Sequence, residues 1–431
     1  MSEIAVIGAG YVGIPTAVCF AQLGHHVVCA DVDADRVRLL EKGESPILEE
    51  GLEALLADGL ATGRLRFVVG ASEAVRTAEF VFLCVPTPQG ASGAADLSFV
   101  ESVAREIAPL LRPRAVVVNK STMPVGSTDF VARELRAAGA PAEVHVASNP
   151  EFLRPGHAVA DTLAPHRVVI GCDDTEVAVR VSELYRDVGT PILVTDPASA
   201  ELVKYASNAF LATKISFVNS IANLCEVVQA DMREVVLGMG YDPRIGFEML
   251  HAGPGYGGSC FPKDVAALLD VADANGYDFE LLRSVVAVND KQHSRVVDKI
   301  RAALGGSVAG RSIGVWGLTY KANTDDIRDS PALRVVNVLA AEGAELRAYD
   351  PAAGTDATSG LSGVERVADP YDAVVDAEVL VLLTEWDAFR ELDFRRVHAS
   401  MREPAAVVDA RNCLDAAALR KLGFAYEGIG R

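Results

Sequence analysis

Two series of short apolar runs, each run followed by a helical stretch, constrain the fold of this chain more than any other feature of its sequence. The first series contains IAVI, HHVVCAD, AEFVFLCV, AVVVN and EVHVAS. The second begins after about residue 310 with SIGVW, AELRAYD, AEVLVLL and AVVDA, in the same order and with similar turn residues. Apolar strands that alternate with helices are typical of a parallel sheet covered by helices. We therefore predict an α/β fold with two parallel-sheet domains, the second a diverged copy of the first.

A stretch of 40 residues without Gly or Pro, from Ala198 to Leu237, separates the two series. Its apolar residues recur mostly at intervals of three and four, which predicts one long helix or two in tandem. These residues are Leu202, Tyr205, Ala209, Ala212, Phe217, Ile221, Leu224 and Val228. Because so long a helix exceeds the usual length, we expect it to bridge two domains or to pack against a twin in a homodimer.

The composition excludes several classes of partner. At 431 residues, half of them hydrophobic, the chain is long enough for two or three domains. A formal net charge of −19 argues against nucleic acid as the main partner, because phosphate groups bind basic surfaces. The same charge argues against an anionic membrane. No apolar run approaches the roughly 18 residues that span a bilayer, and the acidic start MSE differs from a signal peptide, so we expect a cytoplasmic protein.

The seven cysteines are odd in number and irregularly spaced. This pattern predicts neither a disulfide framework nor a zinc site, so we expect reduced thiols and no metal. Cys29, Cys84 and Cys225 lie within hydrophobic runs and are predicted to be core residues.

The turn after the first apolar run, Gly8-Ala9-Gly10-Tyr11-Val12-Gly13, has the glycine spacing of a dinucleotide-binding loop. Its glycines permit a tight turn and a close approach of the backbone to a pyrophosphate at a helix N-terminus. The second run ends in Asp31, 18 residues after Gly13, where a carboxylate can bind ribose hydroxyls and would repel a 2′-phosphate. These features predict NAD rather than NADP. Arg36 lies close enough to affect the preference between NAD and NADP, or it is a solvated helix residue.

A second glycine-rich segment, GPGYGGSCFPKD from Gly253 to Asp264, surrounds one thiol with conformationally special backbone. Glycines permit close approach to a ligand, and Pro262 suits the first turn of a helix, so Cys260 should lie at or just before a helix N-terminus. Such a position favours a nucleophilic thiol. Asp264, one turn later, can point to the same side, and Lys263 adds positive charge. We predict a reactive rather than a structural thiol, because the apolar neighbours of a structural one are missing.

A nicotinamide cofactor and a nucleophilic cysteine together restrict the chemistry. Oxidation of an alcohol gives an aldehyde, which a thiolate holds as a thiohemiacetal. Loss of a second hydride gives a thioester, which water hydrolyses to a carboxylate. The pair therefore predicts a four-electron oxidation of one carbon without release of the aldehyde.

Six separated motifs resemble the UDP-glucose/GDP-mannose dehydrogenase family: GAGYVG, KSTMPVG, NPEFL, KYASNAFLATKISFVN, GPGYGGSCFPKD and NTDDIRDSPA. The resemblance extends from Ile4 to about Asn412. It implies a Rossmann-like NAD-binding domain at 1–197, a central helical dimerisation domain with the catalytic cysteine at 198–305, and a C-terminal Rossmann-like nucleotide-sugar-binding domain at 306–431. It also implies NAD-dependent oxidation of the C6 alcohol of a nucleotide sugar to the uronate, and the sequence around the cysteine favours UDP-glucose over GDP-mannose.

The resemblance implies roles for single residues. Cys260 is the nucleophile that forms the thiohemiacetal and thioester. Lys204 and Asn208, four residues apart and so on one helix face, stabilise the developing oxyanion. Asp264 acts with Lys204 in proton transfer and thioester hydrolysis. Independently of the family, a lysine within so apolar a helix needs an anionic partner.

The other implied contacts fall into two groups. Those with NAD, beyond the glycines, are Val12, Asp31, Arg36, Thr87, Thr122, Glu151, Lys263 and Arg328, of which Thr122 and Glu151 also position a catalytic water. Those with the UDP-sugar are Phe152, Leu153, Arg154, Lys204, Asn208, Leu250, Gly253, Gly257 and Lys321. Arg244 resembles an arginine that reaches the substrate of the partner subunit.

Two positions depart from the family pattern. Pro155 and Ser220 each stand where the family usually has Glu, and Pro155 also removes a backbone donor beside the substrate. Other functions stay open on the residues alone: a different nucleotide sugar such as GDP-mannose, a two-electron dehydrogenase of the hydroxyacid type, or a non-catalytic NAD-binding protein. Neither of the last two needs Cys260 in its glycine loop.

Overall fold

The computed structural model describes residues 1–90, 93–359 and 362–430. The chain divides into two compact units. The first contains Met1–Ser207 and Ala266–Tyr277, and the second contains Asn208–Val265 and Asp278–Arg431.

The first unit is built on an eight-stranded sheet with the strand order β3-β2-β1-β4-β5-β6-β7-β8. Neighbouring strands are parallel, except that β6 and β7 pair in the antiparallel sense. Along the chain its elements are β1 Glu3–Ile7, α1 Gly13–Gln22, β2 His26–Asp31, α2 Ala34–Glu41, α3 Leu52–Ala61, β3 Leu65–Val69, α4 Ala71–Ala74, β4 Phe80–Leu83, α5 Ser98–Ile107, β5 Val116–Asn119, α6 Ser127–Ala137, β6 His145–Ser148, α7 Ala158–Leu163, β7 Val168–Gly171, α8 Thr175–Glu183 and β8 Ile192–Thr195.

The apolar runs are continuous rather than alternating because both faces of this sheet are covered. In β1, Ile4 and Val6 belong to one hydrophobic cluster, and Ala5 and Ile7 belong to another on the opposite face. Parallel strands buried on both faces have this sequence signature.

Four helices follow: α9 Pro197–Val228, α10 Met232–Gly240, α11 Phe261–Ala274 and α12 Glu280–Ala303. The stretch from Ala198 to Leu237, which contains no Gly or Pro, therefore forms two helices in tandem. The break lies at Gln229, whose φ of 59° is left-handed, and Asp231 then caps α10 by accepting a hydrogen bond from the Arg233 N–H at 2.8 Å.

The second unit contains a six-stranded parallel sheet with the order β11-β10-β9-β12-β13-β14. This is the order of the first six strands of the other sheet, and it is the doubly wound arrangement. The predicted pair of related parallel-sheet domains with a long central helix is thus confirmed. The elements are β9 Ser312–Trp316, α13 Pro331–Ala341, β10 Glu345–Tyr349, β11 Val364–Arg366, β12 Val379–Leu382, α14 Phe394–Ser400, β13 Ala406–Asp409, α15 Ala416–Lys421 and β14 Ala425–Gly428.

Candidate active site

The glycine loop after β1 has the geometry that a pyrophosphate requires. Gly8 has a φ of +101°, and a Cβ there would lie 2.6 Å from the Cys84 carbonyl oxygen. A Cβ on Gly13 would lie 1.7 Å from the Gly8 carbonyl oxygen, so α1 packs closely on this turn. A Cβ on Gly10 would meet nothing within 4 Å. Gly8 and Gly13 thus make the turn, and Gly10 leaves its backbone open to a ligand, as NAD binding requires.

Asp31 ends β2 beside this loop. One of its carboxylate oxygens accepts a hydrogen bond from the Ala9 N–H at 2.6 Å, and the other accepts one from the Asp33 N–H at 2.9 Å. The Arg36 guanidinium lies 3.4 Å from the same carboxylate. Arg36 is therefore paired with Asp31, and its charge is partly neutralised.

Thr122 and Glu151 follow the adjacent strands β5 and β6, at the carboxyl edge where doubly wound sheets bind ligands. Thr87 fixes Thr122, because its hydroxyl donates to the Thr122 carbonyl oxygen at 2.8 Å. The anionic partner that Lys204 needs is Glu151: Nζ lies 2.9 Å from Oε1, and both side chains are about 95% buried, with exposed fractions of 4% and 5%.

The Glu151 carboxylate is charged despite its burial. Burial alone would raise its pKa, but Lys204, the Leu153 N–H that donates to Oε2 at 2.6 Å, and Lys120 together lower the pKa below its ordinary value.

The segment after Glu151 is held by contacts within the first unit. Phe152 lies under the Arg167 guanidinium, 3.7 Å from its carbon to the ring centroid, and Lys204 Nζ is 5.5 Å from the same centroid. Arg154 is paired with Asp161 at 2.7 Å. After Pro155, the N–H groups of residues 156 and 158 donate to the buried Glu49 carboxylate at 2.6 and 2.9 Å.

Cys260 directly precedes α11 in the second unit, as predicted, and its carbonyl oxygen accepts the first helical hydrogen bond from the Asp264 N–H at 2.9 Å. The side chain is partly exposed and is not in a disulfide. Asp264 is 1% exposed, accepts a hydrogen bond from Asn208 Nδ2 at 2.6 Å, and pairs with Lys263. The structure thus brings Asn208, Lys263 and Asp264 together at the start of the helix that follows Cys260.

The glycines before Cys260 are required by close packing. A Cβ on Gly257 would lie 2.2 Å from the Asp329 carbonyl oxygen. Gly258 has a φ of +83°, and a Cβ there would lie 2.8 Å from the Tyr320 ring. These contacts, within the second unit, explain why so much glycine surrounds one thiol.

The other predicted residues of the second unit are placed as follows. Leu250 is buried, and Lys321 follows the turn after β9. Arg328 is half-exposed and paired with Asp326 at 2.7 Å. Arg244 is exposed and forms an ion pair at 2.6 Å with Asp242 of its own loop. Ser220, the second departure from the family, donates to the Ser216 carbonyl oxygen of its own helix.

Besides Glu49, the sequence analysis missed two other buried charged residues of the first unit. Glu201, three residues before Lys204, accepts hydrogen bonds from the N–H groups of Gly126 at 2.7 Å and Thr128 at 2.8 Å, and so caps α6. Lys120 donates to Asn149 Oδ1 at 3.1 Å, and burial lowers the pKa of Lys120 to about 8. Neither residue stands out in the sequence, because a single charged residue at a strand or helix end is usually solvated.

Cys29, Cys84 and Cys225 are buried, as predicted. Within the described ranges, no group of three or more His, Cys, Asp or Glu side chains is arranged to hold a metal ion. Among the helices described, none is both long enough and apolar enough to cross a membrane.

Three family models cover most of the chain. They are the NAD-binding domain of the UDP-glucose/GDP-mannose dehydrogenase family at residues 2–189, its central domain at 198–291 and its UDP-binding domain at 314–416.

Full-length relatives agree with these matches. The chain is 47% identical to the UDP-glucose 6-dehydrogenase of Rhizobium meliloti (strain 1021), over 100% of this chain and 99% of that protein. It is 44% identical to the UDP-glucose 6-dehydrogenase of Pseudomonas aeruginosa, over 100% and 97%. The solved structure of a UDP-glucose dehydrogenase from Pyrobaculum islandicum is 39% identical with a TM-score of 0.93, covering 100% of this chain and 98% of that one. The chain therefore belongs to the UDP-glucose/GDP-mannose dehydrogenase family and is an NAD-dependent nucleotide-sugar dehydrogenase.

Proposed function

We propose that this enzyme oxidises the C6 alcohol of UDP-glucose to the carboxylate of UDP-glucuronate, with Cys260 as the covalent nucleophile. The observation that carries the proposal is the position of Cys260 directly before α11, with the buried Asp264 one turn further along. The names of the full-length relatives support UDP-glucose as the substrate. The match to a UDP-binding domain supports a uridine nucleotide.

For each UDP-glucose the proposed chemistry consumes two NAD and one water, and it releases two NADH and three protons. NAD, when bound, would take up one hydride in each of the two oxidations. Sγ of Cys260 adds to the C6 aldehyde: an S–C bond forms, the carbonyl π bond breaks, and the thiol proton passes to the oxygen. After the second oxidation water attacks the thioester, the C–S bond breaks, and Cys260 regains a proton as the carboxylate forms.

Lys204 and Asn208 are the proposed donors to the oxygen on C6, and they lie one turn apart on α9. Each is oriented by a carboxylate, Lys204 by Glu151 and Asn208 by Asp264. Asp264 and Lys204 are assigned to proton transfer, and Thr122 with Glu151 to the orientation of the hydrolytic water.

We assign NAD binding to residues 1–197 and nucleotide-sugar binding to residues 306–431. The nucleophile belongs to the central part, residues 198–305. The open backbone of Gly10 and the carboxylate of Asp31 support the NAD assignment. The proposed NAD contacts are Gly8, Gly10, Val12, Gly13, Asp31, Arg36, Thr87, Thr122, Glu151, Lys263 and Arg328. The proposed sugar-nucleotide contacts are Phe152, Leu153, Arg154, Lys204, Asn208, Leu250, Gly253, Gly257 and Lys321.

A homodimer is part of the proposal. On α9, Phe210, Phe217 and Leu224 recur every seven residues, and their side chains are 65%, 52% and 53% exposed. An apolar stripe of this kind is covered when the same helix of a second copy packs against it. The exposed Arg244 is assigned to the substrate of the partner subunit. The absence of any disulfide among the seven cysteines supports a cytoplasmic location.

The first experiment counts NADH formed per sugar nucleotide consumed. Two NADH per UDP-glucose are expected, whereas one would indicate a two-electron dehydrogenase and none a non-catalytic protein. GDP-mannose, assayed in parallel, is expected to be a poor substrate, and equal kcat/KM for the two nucleotide sugars would contradict the assignment to UDP-glucose.

The second experiment tests the nucleophile by intact mass. Cys260→Ser should form an ester in place of the thioester, and this poorer leaving group should let a UDP-glucuronyl adduct accumulate at residue 260. Cys260→Ala should show no adduct and should still bind NAD. Formation of UDP-glucuronate by Cys260→Ala at the parent rate would refute the mechanism.

A further inference from the structure

Three amide side chains of the second unit bind the backbone of the segment Gly253–Tyr256, which precedes Cys260. Asn219 on α9 accepts from the Gly253 N–H at 2.8 Å, and Gln292 on α12 donates to the Gly253 carbonyl oxygen at 2.8 Å. Asn289 on α12 accepts from the Tyr256 N–H at 2.7 Å and donates to the Tyr256 carbonyl oxygen at 3.1 Å. Asn219, Asn289 and Gln292 are named the amide clamp.

The amide clamp satisfies the N–H and the carbonyl group at both ends of this four-residue segment. All three side chains are more than nine-tenths buried. Gln292 is itself held by Asn223, whose Nδ2 donates to Gln292 Oε1 at 2.9 Å. A buried polar group that loses its hydrogen-bond partner is strongly disfavoured, so the clamp favours one backbone conformation over others.

The clamp leaves only a short link to the nucleophile. Between Tyr256 and Cys260 stand two glycines and Ser259, and the Gly258 N–H donates to the Asp329 carbonyl oxygen at 3.3 Å. The backbone before α11 is therefore held by hydrogen bonds at Gly253, Tyr256 and Gly258. Amides make these bonds without adding a charge close to the thiol.

We infer that the amide clamp is a positioning device that holds Sγ of Cys260 where it captures the aldehyde, and that it acts mainly on the second oxidation. This inference rests on the proposed function. The first oxidation makes no bond to the thiol, whereas thiohemiacetal formation requires Sγ within bonding reach of the carbonyl carbon. A misplacement of about 1 Å can lower the rate of such a step by about 100-fold.

The test uses the full-length variants Asn289→Leu and Gln292→Met, which keep the side-chain size and remove the hydrogen bonds. We expect the oxidation of added UDP-glucose 6-aldehyde to fall by at least about 10-fold. The NADH count per UDP-glucose should drop from two towards one, with free aldehyde trapped by semicarbazide. Asn289→Asp, which keeps the acceptor for Tyr256 and loses the donor, should lie between these variants and the parent. It decides the test if Asn289→Leu does not fold.

Ser216→Ala is the matched control. Ser216 is buried on α9 and donates to the Val285 carbonyl oxygen of α12 at 3.1 Å, so it joins the same two helices without touching the loop. The Ser216→Ala variant should keep the NADH count and the rate of aldehyde oxidation of the parent enzyme. The inference is overturned if Ser216→Ala changes them as the clamp variants do, or if the clamp variants slow both oxidations equally.

A second readout separates this inference from the proposed function. The pH profile of Cys260 alkylation by iodoacetamide needs no sugar, and it should move to higher pH in the clamp variants, because the thiolate loses its fixed place at the start of α11. If the parent fails to give two NADH, the proposed function fails, and the alkylation profile alone then decides the clamp: an unchanged profile overturns it.

Discussion

At the scale of single residues, Lys204 shows how a buried charge is stabilised by a partner of opposite charge. Its ammonium group is buried 2.9 Å from Glu151 and 5.5 Å from the centroid of the Phe152 ring, so it has an anionic partner in place of water. A desolvated cation stabilises a developing oxyanion more strongly than a solvated one. The ion pair is consistent with the role proposed for Lys204, and removal of either partner would leave an uncompensated buried charge.

Glu151→Gln is expected to destabilise the first unit by about 3–5 kcal/mol, because Lys204 would stay buried without its carboxylate. Urea unfolding followed by circular dichroism would measure the change, since both tryptophans lie in the second unit. Glu53→Gln, at an exposed position of α3, is the control and should leave the unfolding midpoint unchanged. Equal midpoints for both variants would show that Lys204 does not depend on Glu151.

Asp31→Ser is expected to lower kcat/KM for NAD by about 10- to 100-fold, because a charge-assisted hydrogen bond contributes about 1.5–3 kcal/mol. The same change removes the repulsion of a 2′-phosphate, so the preference for NAD over NADP should narrow. Steady-state kinetics with both cofactors test this. A parent enzyme with equal kcat/KM for NAD and NADP would refute the role of Asp31 and direct attention to Arg36.

His293 is expected to make the protein less stable in mild acid. It is buried on α12, its Nε2 has no hydrogen-bond partner, and burial, with a further contribution from Arg334, lowers its pKa from 6.5 to about 4. Below pH 6.5 the unfolded chain binds a proton that folded His293 does not, so stability falls as the pH drops from 6.5 towards 4, by about 2 kcal/mol at pH 5.

His293→Gln should remove this pH dependence. The urea midpoint should change less between pH 7 and pH 5 in the variant than in the parent. An identical change in both proteins would show that another group titrates.

At the scale of elements, the two sheets use the same turn for different purposes. Gly8 donates to the Ala30 carbonyl oxygen at 2.7 Å, and Gly317 donates to that of Tyr349 at 2.8 Å, so both first strands end alike. The acidic residue at the end of the second strand is bonded differently in the two sheets. The Asp350 carboxylate accepts hydrogen bonds from five donors, which are the N–H groups of residues 318, 319, 352 and 353 and the Thr319 hydroxyl.

No helix starts at the second turn: the next helix is α13, which begins only at Pro331. Asp350 is fully hydrogen-bonded and no helix N-terminus lies beside this turn, so it lacks the features that support dinucleotide binding at the first turn.

Gly10→Ala is expected to separate cofactor binding from folding. Since a Cβ at Gly10 meets no protein atom within 4 Å, the melting temperature should stay within a few degrees of the parent, while the Kd for NAD rises at least about 10-fold by obstruction of the pyrophosphate. Gly13→Ala, whose Cβ would collide with the Gly8 carbonyl, should instead lower the melting temperature. Calorimetric titration and thermal unfolding distinguish the two, and unchanged NAD affinity in Gly10→Ala would contradict the loop assignment.

At the scale of the whole molecule, association should depend on the apolar stripe of α9. The residues picked out by periodicity divide into two faces: Tyr205, Ala209 and Ala212 are buried, whereas Phe217 and Leu224 are exposed. A helix that is apolar on an exposed face as well as a buried one is typical of a subunit interface.

Phe217→Glu is expected to give a monomer at micromolar concentration by light scattering, because a charge in a symmetric interface meets its own copy. If Arg244 binds the substrate of the partner subunit, the monomer should also lose at least about 10-fold in activity. Val179→Glu, on the exposed face of α8, is the control and should leave the oligomer unchanged. A fully active monomer would refute both the interface and the role of Arg244.

The sequence by itself determined the two parallel-sheet domains, the relation of the second to the first and the placement of Cys260 before a helix. Each of these depends on local physics: continuous apolar runs signal strands buried on both faces, glycine spacing signals a phosphate turn, and Pro262 fixes the start of a helix. The break between α9 and α10 was left open, because Gln229 and Asp231 mark it only through their backbone conformation and capping.

Only the tertiary structure decided the partners of the buried polar groups. The pairing of Lys204 with Glu151 joins residues 53 positions apart, and the clamp residues Asn219 and Gln292 meet Gly253 from two different helices. A single asparagine or glutamine on a helix has the same local preferences whether it is solvated or binds a distant backbone. Such partners are set by packing across long stretches of chain, which composition and spacing do not encode.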